Sequence, residues 1–384
     1  MVKNLKELMK KFQDEKTCRD FLIQQRWNGV PVCPKCGGTK AYNIDNGKRF
    51  KCANNKCYYR FTVTIGTVFE ASNIPLTTWF PALYLISAHK KGISSCQLAR
   101  DLGVTQKTAW FMLHRIRESL RDKNSTLLSN VVEVDEVYIG GKVKNMSNTK
   151  RASMRTENGG TESNKMMVIG MLERGRDLKL VVSGKNDTAH NIKPIMRENI
   201  DGDSFIVTDS SGNYFGLDKE FAGHETVNHA NHEFVRNGVI HTNGVEGAFS
   251  LLKRSIIGIY HQLSPKHLSR YCNETEYRYN TRKMNDGDRF EVCLTRLTGR
   301  LPYKELIKDN GLTNITVIEP SLPKLDLNPK IYGRPVAQIL DGKIIAQYLS
   351  LIEAEKITGI KQQGISKVLR GLRKATGGYQ WKYI

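Results

Sequence analysis

Residues 131–141 read VVEVDEVYIGG, an apolar run of strand character broken by three acidic residues. Side chains alternate along a strand, so Glu133 and Asp135 share one face while Val132, Val134 and Glu136 share the other. A carboxylate within such a strand is costly to bury unless it meets a metal, a cation or water. Asp135 is therefore expected at a functional edge of a sheet.

The stretches on either side extend this strand into an α/β domain. Residues 165–175 (KMMVIGMLERG), 177–185 (DLKLVVSGK) and 204–214 (SFIVTDSSGNY) read as strands, with a helix from Thr188 to about Asn199 before the last. A short strand near HETVNH and a long helical stretch from Asn243 to about Asn280 follow. The polar insert from Lys142 to Asn164 has almost no apolar content and is expected to be a loop. Asp209 ends the apolar run SFIVTD, where α/β sheets usually place their sites, so Asp135 and Asp209 are expected to share a cation.

On the long helix Asn243, Glu246, Ser250 and Lys253 recur at intervals of three or four and share a face. Glu246 is the expected third carboxylate, with Lys253 two turns on to steer a phosphate. Three carboxylates suit two Mg²⁺ ions ~4 Å apart, the arrangement that activates an attacking oxygen and stabilises a leaving one. Glu133, Glu136, Asp187, Asp201 and Asp203 are read as strand-flanking or loop charges, and His241, His261 and His267 as structural histidines in preference to contacts with DNA phosphate or helpers near the metals.

Upstream, Cys33 and Cys36 are two residues apart, Cys52 and Cys57 four apart, with fifteen residues between the pairs. Two such knuckles suit tetrahedral zinc, and a site closed by four thiolates is structural. Cys18, Cys96, Cys272 and Cys293 are read as small semi-buried apolar side chains. Before the knuckles, Leu5, Leu8, Met9 and Phe12, then Phe21 and Leu22, suggest one or two short helices. Residues 75–122 read as three helices, the last two separated by Gly103, with Thr105 placed to cap the third. That is the pattern of a helix-turn-helix.

Across all 384 residues, 59 Lys and Arg stand against 38 Asp and Glu, a net charge of +21, so a polyanion, chiefly nucleic acid, is the expected partner. No stretch approaches the ~18 consecutive apolar residues of a spanning helix, and residues 1–16 lack the apolar core of a signal peptide. Neither membrane insertion nor export is expected. Residues 310–335 hold four of the eleven prolines and read as a linker. After it, the hairpin-like VAQILDGKIIAQYL precedes a basic helical pair that looks like a second helix-turn-helix.

Taken together, CPKCGG with CANNKC, VDEVYIGGK, TDSSGNY and the run HTNGVEGAFSLLKRSIIGIYHQLSPKHLSRYCNETEYRYNTRK resemble the zinc-ribbon group of bacterial DDE insertion-sequence transposases, the ISXO type. The resemblance spans roughly residues 12–285, with 36 residues between Asp209 and Glu246. It implies a ribonuclease H-like catalytic domain, Asp135, Asp209 and Glu246 as ligands of Mg²⁺ or Mn²⁺, and Lys253 as the basic residue seven positions after the glutamate. Members of the group can use asparagine as the third residue, so Asn243 stays beside Glu246 as a neighbouring or substitute ligand. The last fifty residues are similar to small DNA-binding modules appended to homing endonucleases.

The expected architecture is multidomain: an N-terminal helical segment (1–30), a zinc ribbon (31–68), a helix-turn-helix DNA-binding domain (69–128), a ribonuclease H-like DDE domain (129–300), a linker (301–330) and a small C-terminal helix-turn-helix-like module (331–384). Lys107, Arg115, Arg117, Lys253, Arg254, Lys367, Arg370 and Arg373 are the expected DNA contacts. The expected function is transposition: binding element ends, 3′ end cleavage and strand transfer on double-stranded DNA by a homodimer or higher synaptic complex. The expected location is the bacterial cytoplasm, on the nucleoid. A non-catalytic DNA-binding regulator and a homing-type endonuclease are the alternatives.

Overall fold

Asn4 and Asp14 start the first two helices, α1 (Leu5–Lys11) and α2 (Glu15–Trp27). Each side chain accepts the N–H three residues on, from Glu7 and Thr17, at 2.9 Å, which satisfies a donor left over at the helix start. The computed structural model describes residues 2–122, 126–141, 146–149, 151–152, 165–184, 189–228, 233–308, 336–340, 343–348, 351–369, 373 and 375–383. The chain divides into two units, one of Met1–Gly29 with Thr62–Pro320 and one of Val30–Phe61 with Ser321–Ile384.

In the second unit the cysteine segment forms an antiparallel sheet of β1 (Ala41–Ile44), β2 (Arg49–Cys52) and β3 (Arg60–Phe61). Asp45, Asn46 and Gly47 turn the first hairpin with φ of 55°, 52° and 80°, the left-handed region these residue types tolerate best.

In the first unit α3 (Leu76–Ala88), α4 (Ser95–Leu102) and α5 (Gln106–Ser119) follow. Gly103 stops α4 at φ 65° with open space where a side chain would stand, so backbone conformation alone favours glycine there. Thr105 caps α5 by accepting the Thr108 N–H at 3.2 Å. Leu8, Leu22, Trp79, Phe80, Ile86, Leu98, Met112 and Ile116 make one core.

The five-stranded sheet holds β4 (Val131–Ile139), β5 (Met166–Glu173) and β6 (Leu178–Val182), then α6 (Ala189–Asn199), β7 (Phe205–Asp209) and β8 (Gly223–Val227). Strand order is β6-β5-β4-β7-β8: the first three strands pair antiparallel, while β4 pairs parallel with β7 and β7 with β8. This mixed α/β arrangement is of the ribonuclease H-like kind. Val132 and Val134 pack with Ile192, Met196, Tyr214 and Leu217 on one face, and Val137 and Ile139 pack with α7 (Asn243–Ser255) and α8 (Leu268–Asn280) on the other.

The helical stretch expected to run from Asn243 to about Asn280 is interrupted. A π-helical turn at Ile256–Tyr260 leads to His261 at φ 60° and a short 3₁₀ turn at Pro265–His267. The break lets Tyr260 reach Glu274 at 2.9 Å. Helices α9 (Asp286–Thr295) and α10 (Tyr303–Ile307) complete this unit. Residues 301–308, expected to begin the linker, are thus partly helical, with Tyr303 edge-on to Phe111. Residues 309–335 and most of 142–164 lie outside the described residues.

The C-terminal residues form β9 (Val336–Leu340), β10 (Lys343–Tyr348), α11 (Leu351–Thr358), α12 (Gln362–Leu369) and β11 (Gln380–Tyr383), with strand order β10-β9-β11. Val336, Tyr348, Ala354, Ile365 and Trp381 form the core. The strand Gln380–Tyr383 is too short to declare itself by alternation. Of the four scattered cysteines Cys18, Cys272 and Cys293 are buried and Cys96, expected to be semi-buried, is exposed because it faces outward from the first turn of α4.

Candidate metal centres

Strands β4 and β7 pair from Val131 with Phe205 to Glu133 with Val207, and the ladder ends there. Continued by two residues it would set Asp135 beside Asp209, so both aspartates lie where the strands part. Asp135, Glu136 and Asp209 each offer a carboxylate oxygen within 4.8 Å of the others. Three carboxylates this close repel one another unless a cation sits among them. Oxygens on one octahedral ion with bonds of ~2.1 Å lie at most ~4.2 Å apart, so shifts of a few tenths of an ångström fit this set to Mg²⁺ or Mn²⁺. The two aspartates are preset by their own turns: Asp135 Oδ1 accepts the Glu136 N–H at 2.8 Å and Asp209 Oδ1 the Ser211 N–H at 2.9 Å.

Among the described residues Asp135, Asp209 and Glu246 do not make such a group. Glu246 stands in the first turn of α7, half-buried, and accepts the Thr242 hydroxyl at 3.0 Å. Asn243 is exposed one turn before it, and Lys253 and Arg254 are exposed at the far end. The opposite side of α7 buries Val245, Ala248, Phe249 and Leu252, which confirms the face inferred from spacing. Gly170 sits across the ladder from Asp135, and a Cβ there would come within 2.7 Å of Phe249 and Val245. Glycine lets α7 rest directly on the sheet beside Asp135.

Glu133, read as a strand-flanking charge, is buried and organises this corner. Its Oε2 accepts the N–H groups of Gly244 and Val245 at 2.8 and 3.1 Å, and its Oε1 takes Arg174 Nε at 2.8 Å with His241 Nδ1 at 3.3 Å. Arg174 also holds the carbonyls of Val239 and His241. A negative charge on the free amides of a helix start is favourable twice, through hydrogen bonds and through the helix dipole. The signal was available, because the burial argument applied to Asp135 applies equally to Glu133.

Glu136, expected as a flanking charge, stands instead in the acidic group, where the β4–β7 ladder has ended. Tyr214, also missed, is fully buried behind that group. Burial raises its phenol well above the ordinary value, and the charges of Glu136, Asp135 and Asp209 add to the effect.

The four thiolates of Cys33, Cys36, Cys52 and Cys57 also gather within 4.8 Å. Sulfurs bound to tetrahedral zinc at ~2.3 Å lie ~3.8 Å apart. The Cys33–Cys57 and Cys36–Cys52 separations are 3.8 and 3.5 Å, so the residues fit the ion.

A family model described as an ISXO2-like transposase domain matches residues 127–280, and one described as a transposase zinc-ribbon domain matches residues 13–60. The chain belongs to this zinc-ribbon, ISXO2-like transposase family. An uncharacterized protein in transposable element ISH50 of Halobacterium salinarum is 28% identical over 254 residues, covering 64% of this chain and 84% of that protein. An uncharacterized HNH endonuclease of Acanthamoeba polyphaga mimivirus is 36% identical over 91 residues, 22% of this chain and 28% of that protein. A pre-cleavage Mos1 transpososome aligns over 54% of this chain and 75% of its own at 11% identity, with a TM-score of 0.20, too low to bear on the fold.

The transposase thus combines a zinc-binding Cys₄ cluster with an acidic site suited to metal-dependent, DDE-type chemistry. Two of its expected DNA contacts are corrected. Arg115 is buried and donates to the carbonyls of Leu301 and Val68, at 3.1 and 2.7 Å. Arg117 is buried against Glu274 at 2.7 Å and stacked on Tyr271. Burial pushes the Glu274 carboxyl up, but Arg117 and Arg278 outweigh it and hold it below its usual value. Both arginines therefore tie α5 into the fold, because that helix is buried over most of its length. Lys107 remains exposed near the start of α5, as do Lys367 and Arg373, while the side chain of Arg370 lies outside the described residues. His267 is buried and pushed down to about 4, chiefly by that burial and then by Arg270, as befits a structural histidine. Among the described residues no helix is long and apolar enough to cross a membrane.

Proposed function

We propose that this transposase binds the ends of an insertion sequence on double-stranded DNA and catalyses 3′ end cleavage followed by strand transfer. The observation that carries the reading is the meeting of Asp135 and Asp209 where β4 and β7 part, with α7 bearing Glu246 on the adjoining face. Asp135, Asp209 and Glu246 are the ligands in this reading, with Asn243 beside Glu246. Divalent ions held there lower the cost of charge on the attacking and departing oxygens of a phosphodiester.

In the first step a water oxygen bonds to the scissile phosphorus, the bond to O3′ breaks, and the element end is left with a 3′ hydroxyl. In the second that hydroxyl attacks a phosphorus of target DNA, forming the joint and releasing a target 3′ hydroxyl. The phosphodiester count is unchanged in the second step, so no cofactor energy is needed. Lys253 on the exposed face of α7 faces the phosphate, and Arg254, Lys107, Lys367 and Arg373 hold the backbone from exposed positions. In a helix-turn-helix the start of the second helix meets base edges, which suits Lys107 near the start of α5. Two ends joined in one event require a dimer or larger complex on DNA, in the cytoplasm where the DNA lies.

The test is incubation of labelled element-end DNA and a target plasmid with the protein in Mg²⁺. Cleaved ends joined to target support transposition, whereas cleavage without joining points to an endonuclease.

A further inference from the structure

We propose that Glu136 belongs to the metal site as a ligand presented from the opposite face of the sheet, and that the buried hydroxyl of Tyr214 orients it. This rests on the reading of Asp135 and Asp209 as metal ligands and adds two residues to it.

Strand alternation places Glu136 with Val132 and Val134, on the face that packs against α6, while Asp135 lies on the face of α7. In a continuous sheet their carboxylates would point apart. The β4–β7 ladder stops at Glu133 and Val207, and past that point no strand among the described residues pairs with this edge of β4. Side chains from both faces meet in the gap, which is how Glu136 comes within 4.8 Å of Asp135 and Asp209.

Tyr214 supplies the independent observation. It follows Asp209 by one short 3₁₀ turn, is 0% exposed, and packs with Val134 and Leu217 on the Glu136 face. Its hydroxyl is buried without a hydrogen-bond partner, and Glu136 is the foremost of the three carboxylates whose charge bears on it. A buried donor left without an acceptor costs ~1–3 kcal/mol, and Phe would fill the same space without that cost. Tyrosine is explained if the hydroxyl engages Glu136 when a cation draws the three carboxylates together. One carboxylate oxygen then accepts Tyr214 while the other stays directed at the ion, as outer partners commonly fix metal ligands.

The test is calorimetric titration of Mn²⁺ into the zinc-loaded full chain, with zinc content and thermal unfolding recorded for each variant. The proposal predicts that Glu136→Gln weakens Mn²⁺ binding by ~10-fold or more and Tyr214→Phe by several-fold, with Glu136→Asp recovering part of the loss. Zinc content and unfolding temperature stay at wild-type values in Tyr214→Phe. Wild-type Mn²⁺ affinity in both Glu136→Gln and Tyr214→Phe, with binding lost in Asp135→Asn and Asp209→Asn, overturns this proposal and leaves the aspartate site standing. Unchanged binding in the two aspartate variants overturns both.

Discussion

The Glu133 carboxylate accepts the Gly244 N–H at 2.8 Å, joining the strand that bears Asp135 to the helix that bears Glu246. A Cβ on residue 244 would stand 2.8 Å from that same oxygen, so glycine is required for the contact. The joint is short in space and long in sequence, and Arg174 closes it from the other side. Its rigidity sets how far α7 can move relative to the strand ends.

Glu133→Ala strands two helix amides and the Arg174 guanidinium, and the predicted loss of unfolding free energy is ~3–5 kcal/mol, the usual result of breaking a buried charged network from one side. Glu133→Gln retains an acceptor for the amides and is predicted to lose ~1–3 kcal/mol. Chemical denaturation checks both, and a loss under ~0.5 kcal/mol in Glu133→Ala would show that the joint bears no load.

Arg117 and Lys107 lie on one helix and are predicted to behave oppositely. Arg117→Met leaves Glu274 short of a partner and destabilises the fold by ~3–5 kcal/mol. Lys107→Ala is predicted to leave stability within ~0.5 kcal/mol but to reduce the salt slope of DNA binding by ~1. Paired denaturation and filter-binding curves separate the two, and a reduced salt slope in folded Arg117→Met contradicts the assignment.

Burial pushes the Glu276 carboxyl up to about 7, with the Leu180 N–H and the Lys179 charge opposing the rise. A folded-state value above the unfolded value of 4.5 means that the native state holds the extra proton between those limits. This contribution to stability is full below about pH 4.5 and is lost as pH rises through about 7. Glu276→Gln is predicted to gain on wild type steadily across that window in unfolding experiments. A difference that stays constant with pH refutes the assignment.

The zinc ribbon has little core beyond the Phe50–Phe61 contact, whose rings lie 5.6 Å apart. Structural zinc contributes ~10–16 kcal/mol of apparent binding energy in small modules, so its removal unfolds them. Cys36→Ser is predicted to lose zinc by elemental analysis and to expose the amides of residues 41–61 to rapid hydrogen exchange. The amides of β4 and β5 keep their protection. Exchange that is unchanged in 41–61 would mean the ribbon stands without the ion.

Much of this was legible in the chain itself, and the reasons differ from residue to residue. The helical and strand periods of β4, β5, α4 and α5 are local, so spacing alone located them. The four zinc ligands declared themselves by their spacing, and Asp135 and Asp209 by being charges in apolar strands. Glu136 was hidden because alternation assigns it to the wrong face, and only the end of a ladder with a strand seventy residues away undoes that. Arg115 and Arg117 were hidden for a related reason: positive charge on a helix does not say whether its partner is DNA or, as here, backbone carbonyls for Arg115 and a glutamate 157 residues further on for Arg117. The break after Ser255 arises from a π-turn and a positive φ at His261, neither of which leaves a period to read.

The central claim, that Asp135 and Asp209 hold the ions that act on DNA, is tested most directly by comparing wild type with Asp135→Asn on one labelled element-end substrate in Mg²⁺. The account predicts cleaved and joined products from wild type, and undiminished binding without either product from Asp135→Asn. Equal yields of cleaved DNA from the two proteins would contradict it.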